Sequence, residues 1–282
     1  MNWGHMNKRK KLEFSVRIIG RHKPTFIFIS ISLLIIFLAN YIFFFKTEYR
    51  VLHAGGIYKN EIYTNSIEAL EKNKKGFKYF ELDLQLTRDN KIICGHDIDK
   101  NILFYDQFLI RNLKSKIKKC DYESLRKWLN KNPKKIIITD VKTDNNLKAL
   151  KFIQNNFSNY KKNFIPQIYN PKNYESVKNM GYDDIIWNLY LYNSEDSGDI
   201  SKIIDIIKKN SFFAITMPGS IAKKGLSKKI REETKTRTLV QTINFRRNAA
   251  KWIFIYKVTD IHTHSILNDI DNIFVWFFKK YI

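Results

Sequence analysis

The sequence feature that most constrains the fold of this chain is a regular alternation between short β-rich runs and helix-like stretches. The runs predict strands at 49–55, 79–87, 135–142, 164–169, 184–190, 212–217, 238–244 and 258–263, with a short extra β segment at 91–95. Helices are predicted at 65–75, 122–130, 144–154, 173–180 and 200–209. Eight strands alternating with helices over roughly 235 residues favour a closed parallel barrel of the TIM, (β/α)8, type. An open doubly wound sheet is the alternative, but no glycine-rich phosphate loop follows the first strand.

Local signals define the first predicted helix, 65–75. Asn65 is expected to cap its N-terminus, Glu68 to complete a capping box, and Gly76 to end it. No proline- or glycine-rich linker divides the stretch 46–282. We therefore predict that this stretch forms one barrel domain.

Charged and imidazole side chains lie at the predicted carboxyl ends of four segments. They are His53, Glu81, Asp83, His96, Asp140 and Lys142. A single histidine at a strand end is often a structural hydrogen-bonding group, and a Glu-x-Asp pair is often a solvated strand face. Four such features in succession indicate a site instead, because the carboxyl ends of TIM-barrel strands build the active site.

The acidic members of this set suit a cation. Residues i and i+2 of a strand point to the same side, so Glu81 and Asp83 are expected to face the barrel mouth together with Asp140. Three converging carboxylates repel one another and resist ionising together. A hard divalent ion, Mg²⁺ or Ca²⁺, relieves this repulsion because both ions prefer oxygen ligands.

The remaining members suit phosphoryl chemistry beside such an ion. His53 and His96 are predicted as a general acid and base that work near neutral pH. Lys142 is predicted to place a positive charge on a phosphate oxygen.

The first 45 residues carry a different pattern. A basic stretch, 1–24, contains the single acid Glu13 and precedes an uncharged run, 25–45, which is long enough to cross a bilayer as a helix. The charge bias predicts a cytoplasmic N-terminus and places 46–282 on the outer, periplasmic side of a bacterial cytoplasmic membrane. A cleaved signal peptide is the alternative, but bulky residues end the run where a small-x-small cleavage site is needed. We therefore predict a single-pass membrane anchor.

The net charge of +23 allows two interpretations. It suits either a lysine-rich solvated surface or a surface that binds nucleic acid or an anionic membrane. The lysines are scattered over the whole chain, without an arginine-rich block. We predict no nucleic-acid partner, and weak attraction to anionic lipid stays an alternative.

The two cysteines, Cys94 and Cys120, define no disulfide framework. We predict two separate thiols, with pairing as the alternative. So few cysteines fit the exterior of a bacterial cell better than a disulfide-rich secreted domain.

Taken together, these motifs resemble those of the glycerophosphodiester phosphodiesterases. That family typically shows His-Arg-Gly, Glu-Asn-Thr, Glu-x-Asp and His-Asp in this order. The corresponding runs are His53-Ala-Gly-Gly, Tyr63-Thr-Asn-Ser-Ile-Glu-Ala, Phe80-Glu-Leu-Asp-Leu-Gln-Leu-Thr and Gly95-His-Asp. The similarity continues through 138–142, 165–169, 216–218 and 241–244.

The resemblance implies a TIM barrel that holds a divalent metal. It assigns Glu81, Asp83 and Asp140 as metal ligands. His53 and His96 become the acid/base pair, and Lys142 becomes a phosphate contact. In the family's usual chemistry, a neighbouring hydroxyl of the substrate attacks phosphorus, one histidine takes its proton, and the other protonates the leaving oxygen.

Three departures from the family pattern concern the substrate. Ala54 stands where the family usually has Arg, Asp140 replaces the more usual Glu, and His264 stands where related sequences often have Asp. The Asp-x-Lys form also resembles the sphingomyelinase D branch of the superfamily. The expected function is metal-dependent hydrolysis of a glycerophosphodiester or a lipid-headgroup phosphodiester. The alternatives are a non-catalytic envelope binding module and a phosphodiesterase that acts on a surface glycan.

Overall fold

The computed structural model describes residues 27–35, 51–96, 104–141, 146–191, 200–241 and 260–263. The chain divides into two compact units, Met1–Glu48 and Tyr49–Ile282. In the first unit, helix α1 covers 27–35 and exposes its large apolar side chains. Within the described segments, no helix has both the length and the apolar character that crossing a membrane requires. The predicted anchor at 25–45 lies largely outside the described residues and has no structural support.

The second unit is built around a curled parallel sheet. Within the described segments the strands are β1 Val51–Leu52, β2 Tyr79–Leu86, β3 Ile92–Cys94, β4 Ile136–Asp140, β5 Phe164–Ile168, β6 Ile186–Asn188, β7 Ala214–Pro218, β8 Arg237–Gln241 and β9 Asp260–Thr263. Their order is β1-β9-β8-β7-β6-β5-β4-β2-β3, and β1 also pairs with β2. All pairs are parallel except β2–β3, so the parallel strands close into a ring. The predicted TIM-barrel-like fold is confirmed, and each predicted strand overlaps an observed one.

Helices connect the strands. They are α2 Ile67–Asn73, α3 Tyr105–Lys114, α4 Tyr122–Lys131, α5 Asn146–Asn156, α6 Tyr174–Asn179, α7 Ile200–Lys209, α8 Gly219–Lys223 and α9 Leu226–Thr234. Five of these match predicted helices, and α7 has the predicted bounds. Helices α3, α8 and α9 were not predicted. The last two are short and are separated by Gly225 in a left-handed conformation, so no long periodic pattern spans them.

The N-terminus of α2 differs from its prediction. Ser66, not Asn65, is the N-cap, and its hydroxyl oxygen accepts a hydrogen bond from the Ala69 N–H at 3.2 Å. Ser66 has the extended backbone that an N-cap needs, whereas Asn65 is left-handed with a φ of 46°. The predicted capping role of Asn65 is therefore wrong, and its side chain is used elsewhere.

An apolar layer fills the barrel interior near the amino ends of the strands. It consists of Val51, Tyr79, Ile138, Ile165, Ile186, Ala214 and Leu239, all buried. Seven of the parallel strands each contribute one inward-facing side chain to it. Because side chains alternate along a strand, the next inward position on each strand lies two residues closer to its carboxyl end.

A disulfide joins Cys94 of β3 to Cys120, which precedes α4. The prediction of two separate thiols is wrong. After α3 the chain returns alongside β3, where Ile93 and Asp121 form a bridge, and this return brings the two cysteine Cα atoms within 5.0 Å. That separation lies within the range that a disulfide spans. The pairing depends on the return of the chain, which no local sequence pattern indicates.

Removing this disulfide should destabilise the barrel. The linked residues are 26 positions apart, so the cross-link restricts a sizeable loop of the unfolded chain. We expect the double variant Cys94→Ser/Cys120→Ser to lose about 2 to 4 kcal/mol in the free energy of unfolding, as measured by urea denaturation. Reductant should lower the free energy of unfolding of the wild type by a similar amount and leave that of the double variant unchanged. Equal urea midpoints for the wild type and the double variant, with and without reductant, would show that the disulfide contributes nothing to stability.

Candidate active site

A polar layer lies above the apolar layer, at the carboxyl ends of the strands. In or just after six strands, a polar residue lies two positions beyond the strand's member of the apolar layer. For the five of these residues that lie within a strand, this position is on the same side of the strand. The six residues are His53, Glu81, Asp140, Gln167, Asn188 and Thr216, all buried. This is the end of a TIM barrel at which active sites are built.

Three carboxylates meet at this end of the barrel. Asp83 and Asp140 are register partners across β2 and β4, and Glu81 precedes Asp83 by two residues on the same side of β2. One oxygen of each side chain lies within 4.8 Å of the other two. Glu81, Asp83 and Asp140 are buried, with exposed fractions of only 0%, 4% and 4% respectively. The structure thus brings together the three residues that sequence analysis assigns to a metal, and the assignment itself stays a prediction.

Each of these carboxylates accepts a hydrogen bond from a different part of the barrel mouth. The backbone N–H of Ala54 donates to Glu81 Oε2 at 2.6 Å. The Asn65 amide donates to Asp83 Oδ2 at 2.9 Å and accepts from the Asp83 N–H at 3.0 Å. These donors stabilise the carboxylates in fixed orientations, since hydrogen bonds to ionised groups are among the strongest in proteins.

The third carboxylate is bonded from the neighbouring strand. The Tyr169 hydroxyl, one residue beyond β5, donates to Asp140 Oδ1 at 2.5 Å. Burial, followed by the nearby charge of Asp140, raises the pKa of Tyr169 well above its ordinary value. The hydroxyl therefore keeps its proton and remains a donor at neutral pH.

A tight turn after β1 presents the Ala54 N–H. Residues His53–Gly55 form one turn of 3-10 helix, with Ala54 at a φ of 49°. Gly55 and Gly56 follow at positive φ, which glycine adopts without steric cost. A Cβ at Gly55 would lie 3.2 Å from the backbone of Asn65, and one at Gly56 would lie 2.8 Å from the Leu52 side chain. The two glycines let this turn pack closely against β1 and the Asn65 loop.

The two predicted acid/base histidines both contact Tyr63. Its ring centroid lies 5.3 Å from that of His53, in an edge-on arrangement, and 5.4 Å from that of His96. His53 is buried, with Nε2 3.8 Å from Glu81 Oε2, whereas His96 is exposed. The structure therefore places both imidazoles against one aromatic ring, with His53 beside the carboxylate of Glu81.

Sequence analysis assigned no role to Asn65, Tyr63 or Tyr169 at this site. The first two belong to the run at 63–69 and the third to the run at 165–169, so the motifs marked their segments but not their contacts. No pattern in the sequence distinguishes them from ordinary loop residues. The predicted phosphate contact, Lys142, lies outside the described residues.

The carboxylate cluster fits a divalent cation. Two oxygens that ligate the same Ca²⁺ at 2.3–2.6 Å lie at most about 5 Å apart, and the ligand oxygens here lie within 4.8 Å of one another. Three acidic oxygen donors are also the ligand type that Mg²⁺ and Ca²⁺ prefer. Glu81, Asp83 and Asp140 are therefore the residues that would hold such an ion.

Solved structures share this fold. A glycerophosphodiester phosphodiesterase from Parabacteroides distasonis ATCC 8503 is 17% identical, with a TM-score of 0.60 over 76% of this chain and 92% of that one. Another, from Thermotoga maritima, is 18% identical, with a TM-score of 0.51 over 77% of this chain and 93% of that one. A glycerophosphoryl diester phosphodiesterase, also from P. distasonis, is 14% identical, with a TM-score of 0.54 over 77% and 82%.

The sequence comparisons give the family. None of the curated proteins matches the chain significantly. Residues 53–262, well over half of the chain, match the model of the glycerophosphoryl diester phosphodiesterase family. As its motifs predict, the chain therefore belongs to the glycerophosphoryl diester phosphodiesterase family and is a phosphoric diester hydrolase of that family.

Proposed function

We propose that this protein is a divalent-cation-dependent phosphodiesterase that cleaves a glycerophosphodiester or a lipid-headgroup phosphodiester. The observation that carries the proposal is the convergence of three buried carboxylates and two imidazoles at one end of the barrel. Glu81, Asp83 and Asp140 hold Mg²⁺ or Ca²⁺ in this proposal. Such an ion, when bound, stabilises negative charge that develops on phosphoryl oxygens.

The two histidines provide the proton transfers. A hydroxyl group next to the phosphodiester, such as the one on a glycerol moiety, attacks phosphorus. One histidine of the pair His53 and His96 takes the hydroxyl proton, and the other donates a proton to the leaving oxygen. Their shared contact with Tyr63 supports this pairing, because both imidazoles lie against the same phenol ring.

Recognition of the phosphate needs positive charge. Lys142 follows β4 by two residues and is proposed to contact a phosphate oxygen. Ala54 supplies no side-chain charge at the position of the family's usual Arg, and its N–H is bonded to Glu81. Binding of the phosphate is therefore expected to depend more strongly on the charges of Lys142 and the cation than it does in relatives that have the arginine.

We also propose that the barrel works on the outer side of the cytoplasmic membrane. The charge pattern of 1–45 supports this location. The Cys94–Cys120 disulfide supports it as well, since disulfides persist in oxidising compartments and are rare in the cytosol.

Loss of either histidine should nearly abolish turnover. We expect His53→Ala and His96→Ala each to lower the turnover number for glycerophosphocholine by about 100- to 10,000-fold, because general acid–base catalysis contributes that much. Turnover by the purified full chain would be measured with Mg²⁺, with Ca²⁺ and with chelator, and chelator should abolish it. Lysophosphatidylcholine would be the parallel substrate for a lipid-headgroup diester.

The same assay separates catalysis from mere binding. Wild-type protein that binds labelled substrate but turns over neither diester under any condition would support a binding module. Turnover that persists in His53→Ala would show that another group does the proton transfer. Turnover that persists in chelator would remove the cation from the proposal.

Loss of the Asn65 side chain should lower activity, because its amide orients the Asp83 carboxylate. We expect Asn65→Gly to lower kcat/KM by about 10- to 100-fold, the usual cost of losing a group that orients a metal ligand. Glycine is the appropriate replacement because it tolerates the left-handed backbone at this position and preserves the backbone bonds to Ala54 and Cys120.

A matched control for this variant is Asn73→Ala. Asn73 is also a buried asparagine, but its amide donates at 2.8 Å to the Ala69 carbonyl within α2, away from the carboxylates. The control should lose stability without a comparable loss of kcat/KM. Equal losses of activity in both variants would indicate general loosening of the loop, and the orienting role of Asn65 would be wrong.

A further inference from the structure

The hydrogen bond between Tyr169 and Asp140 joins two strands whose ends are already fixed. Asn146, at the start of α5, donates to the Val141 carbonyl at 3.1 Å and to the Gln167 carbonyl at 2.9 Å. One buried amide therefore clamps the end of β4, next to Asp140, to the end of β5, two residues before Tyr169.

The backbone of Tyr169 itself accepts a hydrogen bond from the core of the barrel. The indole N–H of Trp187 donates to the Tyr169 carbonyl at 3.3 Å. Trp187 is itself fully buried and stacks on Phe212, with ring centroids 5.7 Å apart. The phenol ring thus extends toward Asp140 from a backbone that is anchored in the core of the barrel.

This arrangement matters because an aspartate side chain rotates about two torsions. A carboxylate that is not held samples several orientations, and fixing it when a cation binds costs conformational entropy. The 2.5 Å bond to Oδ1 removes much of that freedom before any ion arrives. Preorganised ligands bind more tightly because the ordering cost has already been met.

We propose that Tyr169 is a positioning residue of the cation site, whose hydroxyl holds Asp140 by Oδ1 so that its carboxylate stays beside those of Glu81 and Asp83. The inference rests on the proposed function, since it assumes that these carboxylates bind a divalent ion. It adds to that function a residue that acts on the ion through Asp140.

The test is the affinity of the full chain for Mn²⁺, measured by isothermal titration in the absence of substrate. Tyr169→Phe removes only the hydroxyl and should raise the Kd for Mn²⁺ by about 10- to 100-fold. Tyr182→Phe is the matched control. Its hydroxyl is also buried and donates to the Leu150 carbonyl at 2.8 Å, away from the carboxylates. The control should bind Mn²⁺ as the wild type does.

The second measurement is the melting temperature of each variant in chelator. If the Tyr169 hydroxyl has a merely structural role, Tyr169→Phe and Tyr182→Phe should both melt at lower temperature and should bind Mn²⁺ with the same affinity. Equal Mn²⁺ affinity in the wild type and Tyr169→Phe would overturn the role of Tyr169 and leave the cation site intact. Equally weakened binding in Tyr182→Phe would also overturn it. Absence of binding of Mn²⁺, Mg²⁺ and Ca²⁺ by the wild type would overturn both this inference and the cation in the proposed function.

Discussion

The mutual repulsion of three buried carboxylates is the constraint on which this barrel mouth depends. Glu81, Asp83 and Asp140 present oxygens within 4.8 Å of one another, and all three residues are buried. At about 4 Å, two like charges repel by roughly 4 kcal/mol at an effective dielectric constant of 20. Hydrogen bonds from Ala54, Asn65 and Tyr169 offset part of this cost. A divalent cation would offset the rest most directly, since its charge is opposite to theirs and it takes oxygen ligands.

The closed parallel sheet makes such a cluster possible. Parallel strands align their carboxyl ends, so the register of β2 with β4 sets Asp83 beside Asp140 although the two residues are far apart in sequence. The apolar layer beneath them, from Val51 to Leu239, fills the barrel and fixes the spacing of the strands. The turn after β1 and the loop around Asn65 then supply donors from above. The lower layer thus packs the barrel and the upper one carries the candidate site, as is general for this fold.

Much of this arrangement follows from sequence, and the exceptions share a physical cause. The strands and the convergence of Glu81, Asp83 and Asp140 are predictable because alternation along a strand is a local rule and the fold class aligns the carboxyl ends of its parallel strands. The Cys94–Cys120 disulfide and the Asn65–Asp83 bond depend on how loops return over the barrel, and no local pattern encodes that path. Asn65 also fits the sequence pattern of a helix N-cap, so it was assigned that role and its contact with Asp83 was not predicted. The role of Lys142 stays a prediction.

The central claim is that the carboxylate cluster binds a divalent cation. Its most direct test is a crystal structure of the full chain grown with Mn²⁺, with diffraction data collected to locate the anomalous signal of manganese. The account predicts one strong peak among Glu81, Asp83 and Asp140, with carboxylate oxygens as ligands and Tyr169 still bonded to Asp140. A map in which ordered carboxylates surround no manganese, or in which the peak lies at another part of the barrel, would contradict it.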